Sequence, residues 1–528
     1  MPMPRPAWQA KGGPLPEGVS MSTNFQPGLP GLLSATALPA ARTAAPIRLL
    51  ALTTIPVGSQ PSGVAVAANG NAYVANTGSN DVTVINTGTD TVLVPSISVG
   101  TAPIGVAVAP NGKAYVANSG SNDVTVIDTT SNTVLVPSIS VGTSPVGVAV
   151  APNGNAYVTN LSDFTVTVID TATDTVIVPI ITVGINPYGV AVAPNGNAYV
   201  TNVSSNDVTV IDTATNNVIV PGIPVGNGPF DVAVAPNGNA YVTAFSSGNV
   251  TVINTTTNTV VGAPIPLPVG SGPIGVAVAP NGKAYVADNG SNDVTVIDTT
   301  TDTVVCTPIP VGTAPFAVAV APNGKIYVAN QTSDDVSVIP PFPTLTSISP
   351  NQGPTTGGTP VTLLGTNLTG ATVTIGGNPA TSVNVNPGGT AIHAITPAGA
   401  LGPATVTVTT DGGCASLVNG FTYVSASHAT LLTATPALAK LFPPHVYFPF
   451  LTATLKDLVT GLPVPGQTIT FKTGTQVLGT ALTDAQGTAK LDETLTFPLI
   501  LAHGGYDATF AGTGTLLPSS AHGEVLTP

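Results

Sequence analysis

The chain has 528 residues, too many for a single hydrophobic core, and domains of roughly 100–200 residues would make three or four modules. Apolar residues make up 43% and charged ones only 7%, so solubility must rest on Thr, Ser, Asn and backbone groups, as in all-β extracellular material. The formal charge is -13, and the 11 Lys and Arg residues form no run; duplex DNA and RNA are excluded as partners, because neutralising phosphates needs clustered cations.

Residues 1–46, rich in Pro, Gly and Ala, read as a disordered leader. The apolar stretch from Leu29 to Ala41 is broken by Pro30 and Pro39, and Arg5 and Lys11 lie far upstream of it, which argues against a membrane span and weakly against a cleaved secretory signal. Met21 is an alternative start. No later stretch is long and apolar enough for a transmembrane helix.

From residue 47 to 341 the chain repeats itself. The pattern Pro-x-Gly-Val-Ala-Val-Ala-Pro-Asn-Gly-x-Ala-Tyr-Val-Ala-Asn recurs, with small changes, from Pro61, Pro103, Pro145, Pro187, Pro229, Pro273 and Pro315, a spacing of 42 residues and once 44. Each unit holds four short apolar or alternating runs, as in 105–109, 114–118, 124–128 and 133–141. An Asn-Gly dipeptide, such as Asn69-Gly70, separates the first two runs and signals a hairpin, because both residues tolerate positive φ. Four strands per unit of about 40–45 residues is the period of a propeller blade, which cannot bury both faces alone. The seventh unit stops after its third run, where Pro340-Pro341 forbids continuation. Ahead of the first unit, Leu49 to Val57 matches the missing fourth strand. The predicted fold is therefore all-β: a seven-bladed β-propeller whose N-terminal strand closes the last blade.

The repeated Tyr-Val-Ala-Asn or Tyr-Val-Thr-Asn, as at Tyr157 to Asn160, together with Val-Thr-Val-Ile-Asp-Thr, resembles the YVTN family of β-propeller repeats of surface-layer type. The resemblance covers roughly Ile47 to Pro340 and implies fold more than function. After the proline linker at 340–343, the Ile-x-Pro-x-x-Gly run at Ile348, the turn Gly357-Gly358, Gly365-Thr366-Asn367-Leu368 and the closing Gly420-Phe421-Thr422-Tyr423 resemble an IPT/TIG domain over 342–424. Short alternating strands between Gly and Pro turns point independently to an immunoglobulin-like sandwich. Some IPT/TIG relatives bind DNA, but 343–424 holds no Lys or Arg. Residues 425–528, with Leu451 to Lys456, Gln467 to Phe471, a turn at Asp484 to Gly487 and Tyr506 to Phe510, resemble the bacterial Ig-like domains of surface proteins and adhesins.

The repeat region contains no His and no Glu, and its only bases are Arg48, Lys113, Lys283 and Lys325. General acid and base work, nucleophile activation and transition-metal binding draw chiefly on His, Glu or paired carboxylates, so no catalytic or metal site and no cofactor is expected. Asp residues recur in two columns, Asp81, Asp123, Asp207, Asp293 and Asp335, then Asp128, Asp170, Asp212 and Asp298. Calcium would need several oxygens converging in one loop, whereas isolated carboxylates beside a strand satisfy turn amides. His393, His428, His445, His503 and His522 show no metal spacing. Cys306 and Cys414 fall in different predicted domains, so a bridge would cross a boundary; no disulfide framework follows, and the redox compartment stays open.

In a propeller, the loops between strands two and three and those between blades share one face. Units three to five depart there from the Ser/Gly/Asn/Asp of the others: Leu161, Ser162, Asp163 and Phe164, then Ile185, Asn186 and Tyr188, then Phe230, Asp231 and Phe245. One reading is an exposed recognition patch of Phe164, Tyr188, Phe230 and Phe245, with Asn186 and Asp231 as polar orienters, suited to a protein surface or the apolar face of a sugar. The other is that these side chains fill gaps between blades. Three functions compete: a non-catalytic secreted or cell-surface binding and adhesion protein with a propeller head and Ig-like spacers; a surface-layer, coat or spore-surface component that self-assembles; and a propeller lyase or hydrolase.

Overall fold

The structure is a computed structural model, and it describes residues 52–425, 428–438, 440–442, 445–447, 450–492, 497–513 and 515–526. The leader, and the part of the closing strand before residue 52, lie outside the described residues.

From 53 to 339 the chain builds repeated antiparallel four-stranded sheets. The first is Pro61–Val66, Asn71–Asn76, Asp81–Asn86 and Thr91–Ser98, paired in that order. Four-stranded sheets of the same order follow over 103–140, 145–182 and 187–224. Over 229–266 and 273–310 the outer strand breaks into two short pieces on the same partner. The last sheet has only three strands of its own, Pro315–Val320, Ile326–Asn330 and Asp335–Ile339. Its outer strand is Thr53–Pro56, antiparallel to the third, with Thr53 opposite Val338 and Pro56 opposite Asp335. Ile55 on that strand is buried in the core shared by the last and first sheets.

The repeat explains this order. The glycine of each Asn-Gly turn sits at positive φ, between 77° and 86°, where a Cβ would be strained. The Tyr of strand two is fully buried in every unit, and in all but the sixth its hydroxyl reaches the hairpin between strands three and four of the next sheet. Tyr73 donates to Thr129 O at 3.1 Å and Asn132 Oδ1 at 2.6 Å, and Tyr157 to Thr213 O and Asn216 Oδ1 in the same way. Tyr327 of the last sheet reaches back to Thr87 O and Asp90 Oδ1 of the first, at 3.1 and 2.6 Å. Lys325 joins Asp90 at 2.6 Å across the same seam, as Lys113 joins Asp174 at 2.7 Å. Every sheet but the sixth thus hands one buried hydroxyl to its successor, and the last hands its own to the first.

Tyr285 departs from the series, because the hairpin it would meet was never made. The chain leaves the third strand of the last sheet through Pro340-Pro341, and the Tyr285 hydroxyl is buried without a partner among the described residues. Phe342 fills part of that space and lies under the Lys283 ammonium, 5.3 Å from its ring centre.

Residues 344–424 form two sheets around one core that includes Leu363, Ile375, Ile392, Val406 and Phe421: an immunoglobulin-like sandwich. Residues 430–526 form a three-stranded and a five-stranded sheet around Leu455, Phe471 and Tyr506, with one short helix, Phe497–Ala502, that the all-β reading lacked. Cys306 and Cys414 form a disulfide that ties the repeat region to the sandwich after it. The sequence reading derived no bridge because the two lie 108 residues apart in separate modules. The linker and the loop 411–413 bring them together: Phe342 packs beside Gly413, and Pro340 and Pro341 carbonyls press on Gly412.

Candidate binding face

The loops between strands two and three and those between sheets lie at the same end of the strands. In each unit one residue of the first kind of loop adopts the left-handed conformation: Asn80, Asn122, Phe164, Asn206, Gly248, Asn292 and Asp334. The reason is a bond to the next inter-sheet loop. The side chains of Asn80, Asn122, Asn206, Asn292 and Asp334 accept from the amides of Ala102, Ser144, Gly228, Ala314 and Gln60, each at 2.8 Å. Asn and Asp visit this region readily; a bulky ring does so at a cost.

Phe164 breaks the pattern. It keeps a φ of 59°, supplies no acceptor, and is 39% exposed. Two further columns of unit three change with it. In units one and two an Asp at the head of strand three accepts from a Ser hydroxyl of the outer strand, Asp81 from Ser96 at 2.7 Å and Asp123 from Ser138 at 2.8 Å. In unit three these positions are Thr165 and Ile180, and Ile180 is 67% exposed. Ile185 in the next inter-sheet loop is also exposed. Beside them lies a concavity of about 430 Å³ lined in part by Asp163, Thr165, Pro179 and Ile180.

The other aromatic residues are elsewhere. The second residue of the inner strand is aromatic in three units, Tyr188, Phe230 and Phe316, and in six of the seven, Tyr188 and Phe316 among them, it lines a central cavity. Tyr188 packs edge-on against Phe230, with ring centres 4.9 Å apart, and reaches Phe316 at 6.5 Å; Phe230 meets Phe245 at 5.6 Å. All four are half-buried. Tyr188, Phe230 and Phe245 are therefore one cluster, joined to the cavity wall through Tyr188, and Phe164 is not part of it. The sequence reading missed Phe316 and Ile180. It compared loops, whereas both residues stand out only when inner-strand and outer-strand columns are aligned.

The third residue of each inner strand is Gly in five units, because the neighbouring inner strand runs too close for a Cβ. On Gly63, Gly105 and Gly147 that atom would lie 2.2–2.3 Å from a backbone oxygen of the next sheet. In unit seven the position is Ala317, and in unit five Asp231. The Asp231 carboxylate accepts from its neighbour Val232 N at 2.9 Å and from Val276 N of the next sheet at 3.0 Å. Burial raises its pKa to about 6, with the two amide bonds opposing the shift. The Tyr188 hydroxyl, without a hydrogen bond among the described residues, is pushed up by burial and by the Asp231 charge.

Asn186 is no free orienter: its side chain accepts from Ser204 Oγ at 2.7 Å and donates to Leu161 O at 3.4 Å, holding two loops together. Units three to five share one more device. Thr159 accepts from Gly147 N at 2.8 Å and donates to Tyr188 O at 2.7 Å, and Thr201 links Gly189 N to Phe230 O in the same way. Thr243 repeats the link between Asp231 N and Ile274 O. The Ala at this place in the other units, such as Ala75, cannot form it.

The two Asp columns bind turn groups. Asp128 and Asp170 accept from the amides of Thr130 and Ala172, and Asp81 from Asn76 and Ser79 side chains. Among the described residues, no group of three or more His, Cys, Asp or Glu is placed to hold a metal ion, and no helix is long and apolar enough to cross a membrane.

Residues 343–423 match the IPT/TIG domain family. No curated protein matches the chain. Among solved structures it is similar to hydrazine synthase of Kuenenia stuttgartiensis, at 23% identity over 57% of this chain and 98% of that one, with a TM-score of 0.49. A streptogramin B lyase matches at 16% identity over 54% and 96%, TM-score 0.48. Virginiamycin B lyase of Staphylococcus aureus matches at 13% over 54% and 98%, TM-score 0.48.

Proposed function

We infer that the repeat region is a seven-bladed propeller acting as a non-catalytic binding head, carried on the IPT/TIG sandwich and the C-terminal Ig-like module of a secreted or cell-surface protein. The observation that carries this is Phe164. At a position where five units stabilise the ring with a carboxamide or carboxylate, unit three places a strained, exposed aromatic ring and forgoes the bond. Proteins keep such local violations where a partner requires them. Ile180 and Ile185, exposed in the same unit, enlarge the apolar area for a protein or carbohydrate partner. The disulfide between Cys306 and Cys414 supports an oxidising, extracellular setting.

Self-assembly through strand edges is the weaker alternative. The outer strands of units one to four carry Pro95, Pro137, Pro179 and Pro221 mid-strand, and their pairing is bulged, devices that blunt an edge against strand addition. Immunogold labelling of intact source cells tests the reading. Label on the outside supports it, and label confined to the interior rejects it.

A further inference from the structure

The central cavity holds a charge that the fold does not need. Seven inner strands contribute to its wall, and their third residues are otherwise Gly or Ala; only unit five carries a carboxylate, Asp231. Six units close the ring without it. Among the described residues no Lys, Arg or His lines the cavity, and the negative charge accepts from two backbone amides, Val232 N and Val276 N. Leaving an anion half-buried in this way is unfavourable, and it shares the cavity wall with the Tyr188 and Phe316 rings, Tyr188 standing close enough for the Asp231 charge to raise its pKa.

The chemistry of the wall selects the occupant. A divalent metal ion would need several oxygen ligands, and the wall offers one carboxylate. Aromatic faces attract a soft, weakly hydrated cation, and a single carboxylate completes its charge balance. The space, about 150 Å³, takes a group of a few non-hydrogen atoms. The chain's net charge of -13 draws cations toward it. We propose that the channel mouth is a binding site for a small organic ammonium group, held by Asp231 and by the rings of Tyr188 and Phe316. The proposal rests on the reading of this end of the ring as a binding face, and adds the ligand class.

The test is calorimetric titration of the full chain with tetramethylammonium and n-propylammonium chloride at pH 7.5, with sodium and calcium chloride as controls. Saturable binding is expected for the ammonium salts alone, with a dissociation constant of about 1 mM. Asp231→Gly, which restores the residue of five other units, should weaken it at least tenfold, and Val418→Ser on the exposed sandwich surface should leave it unchanged. Lowering the pH to 5, below the point near 6 at which Asp231 takes up a proton, should weaken it about tenfold. Absence of saturable heat, equal affinity in Asp231→Gly, or tighter binding of calcium would overturn the proposal. Saturable ammonium binding with no loss of cell binding in Phe164→Ser would overturn the binding-face reading alone, and loss of cell binding in that variant with no saturable ammonium heat would overturn the ammonium site alone.

Discussion

Replacing Asp288 by Asn should stabilise the repeat region, and by an amount that depends on pH. In units one, two, four and seven the last residue of strand two is a fully buried Asn that donates to the facing Asp and to a Thr or Ser two residues further on. Asn76 reaches Asp81 at 2.7 Å and Thr83 at 2.9 Å, and Asn118 and Asn202 do likewise. Unit six has Asp288 there, fully buried, opposite Asp293. One oxygen accepts from Thr295 at 2.6 Å and the other has no partner. Burial first, then the Asp293 charge, raises the Asp288 pKa from the ordinary 3.8 to about 7.

At about 1.4 kcal/mol for each tenfold step, that rise amounts to as much as about 4 kcal/mol. The sign follows from which state ionises first. Below about pH 4 Asp288 is protonated folded or unfolded, and the penalty vanishes. Between pH 4 and 7 only the unfolded chain loses the proton, so stability falls as pH rises, and it levels off above 7. Asp288→Asn should therefore raise the melting temperature by roughly 4–8 °C at pH 8 and by little at pH 4.5. Asp288→Ala, which removes the charge without the amide donors, should recover only part of the gain. Thermal unfolding followed by calorimetry at both pH values checks this, and a pH-independent change, or a loss of stability at pH 8, refutes the reasoning.

Tyr241→Phe should cost about 1–3 kcal/mol, because it leaves Asp302 Oδ1 without its donor at the next sheet, while Thr299 O keeps only the bond from Asn237 Nδ2. Tyr285→Phe, whose hydroxyl has no partner, should be neutral or stabilising; denaturant unfolding of the two variants makes the comparison. Ile55→Ala, in the strand that closes the last sheet, should cost about 2–5 kcal/mol and speed hydrogen exchange in 335–339 before the rest of the repeat region. Replacing Cys306 and Cys414 together by Ser should leave both cores folded and quicken proteolysis within 340–343, read by mass spectrometry of timed digests.

Much of this architecture lies open in the sequence because it is local. Asn-Gly turns, alternating runs and the proline stop after Ile339 act within a few residues, and the one long-range inference, the closing strand, follows from counting strands. The buried Tyr ladder is hidden by contrast: Tyr115 and its acceptor Asp174 are 59 residues apart, and nothing inside one unit names the partner. The disulfide is hidden for the same reason, since its ends meet only after the linker folds back. For the binding face, departures from the repeat flagged Phe164, Tyr188, Phe230, Asp231 and Phe245. The sequence could not separate a rim residue, Phe164, from a channel-mouth cluster, because that division depends on where each strand position points.

The central claim is that the loop face of the head, at unit three, does the binding. Its most direct measurement is saturation binding of the fluorescently labelled full chain to intact source cells, comparing wild type, the Phe164→Ser and Ile185→Ser double variant, and Val418→Ser on the IPT/TIG sandwich, where Val418 is 76% exposed. The account predicts at least tenfold weaker binding for the double variant and none lost for Val418→Ser. Unchanged binding by the double variant, with loss in Val418→Ser, would contradict it and move recognition to the sandwich.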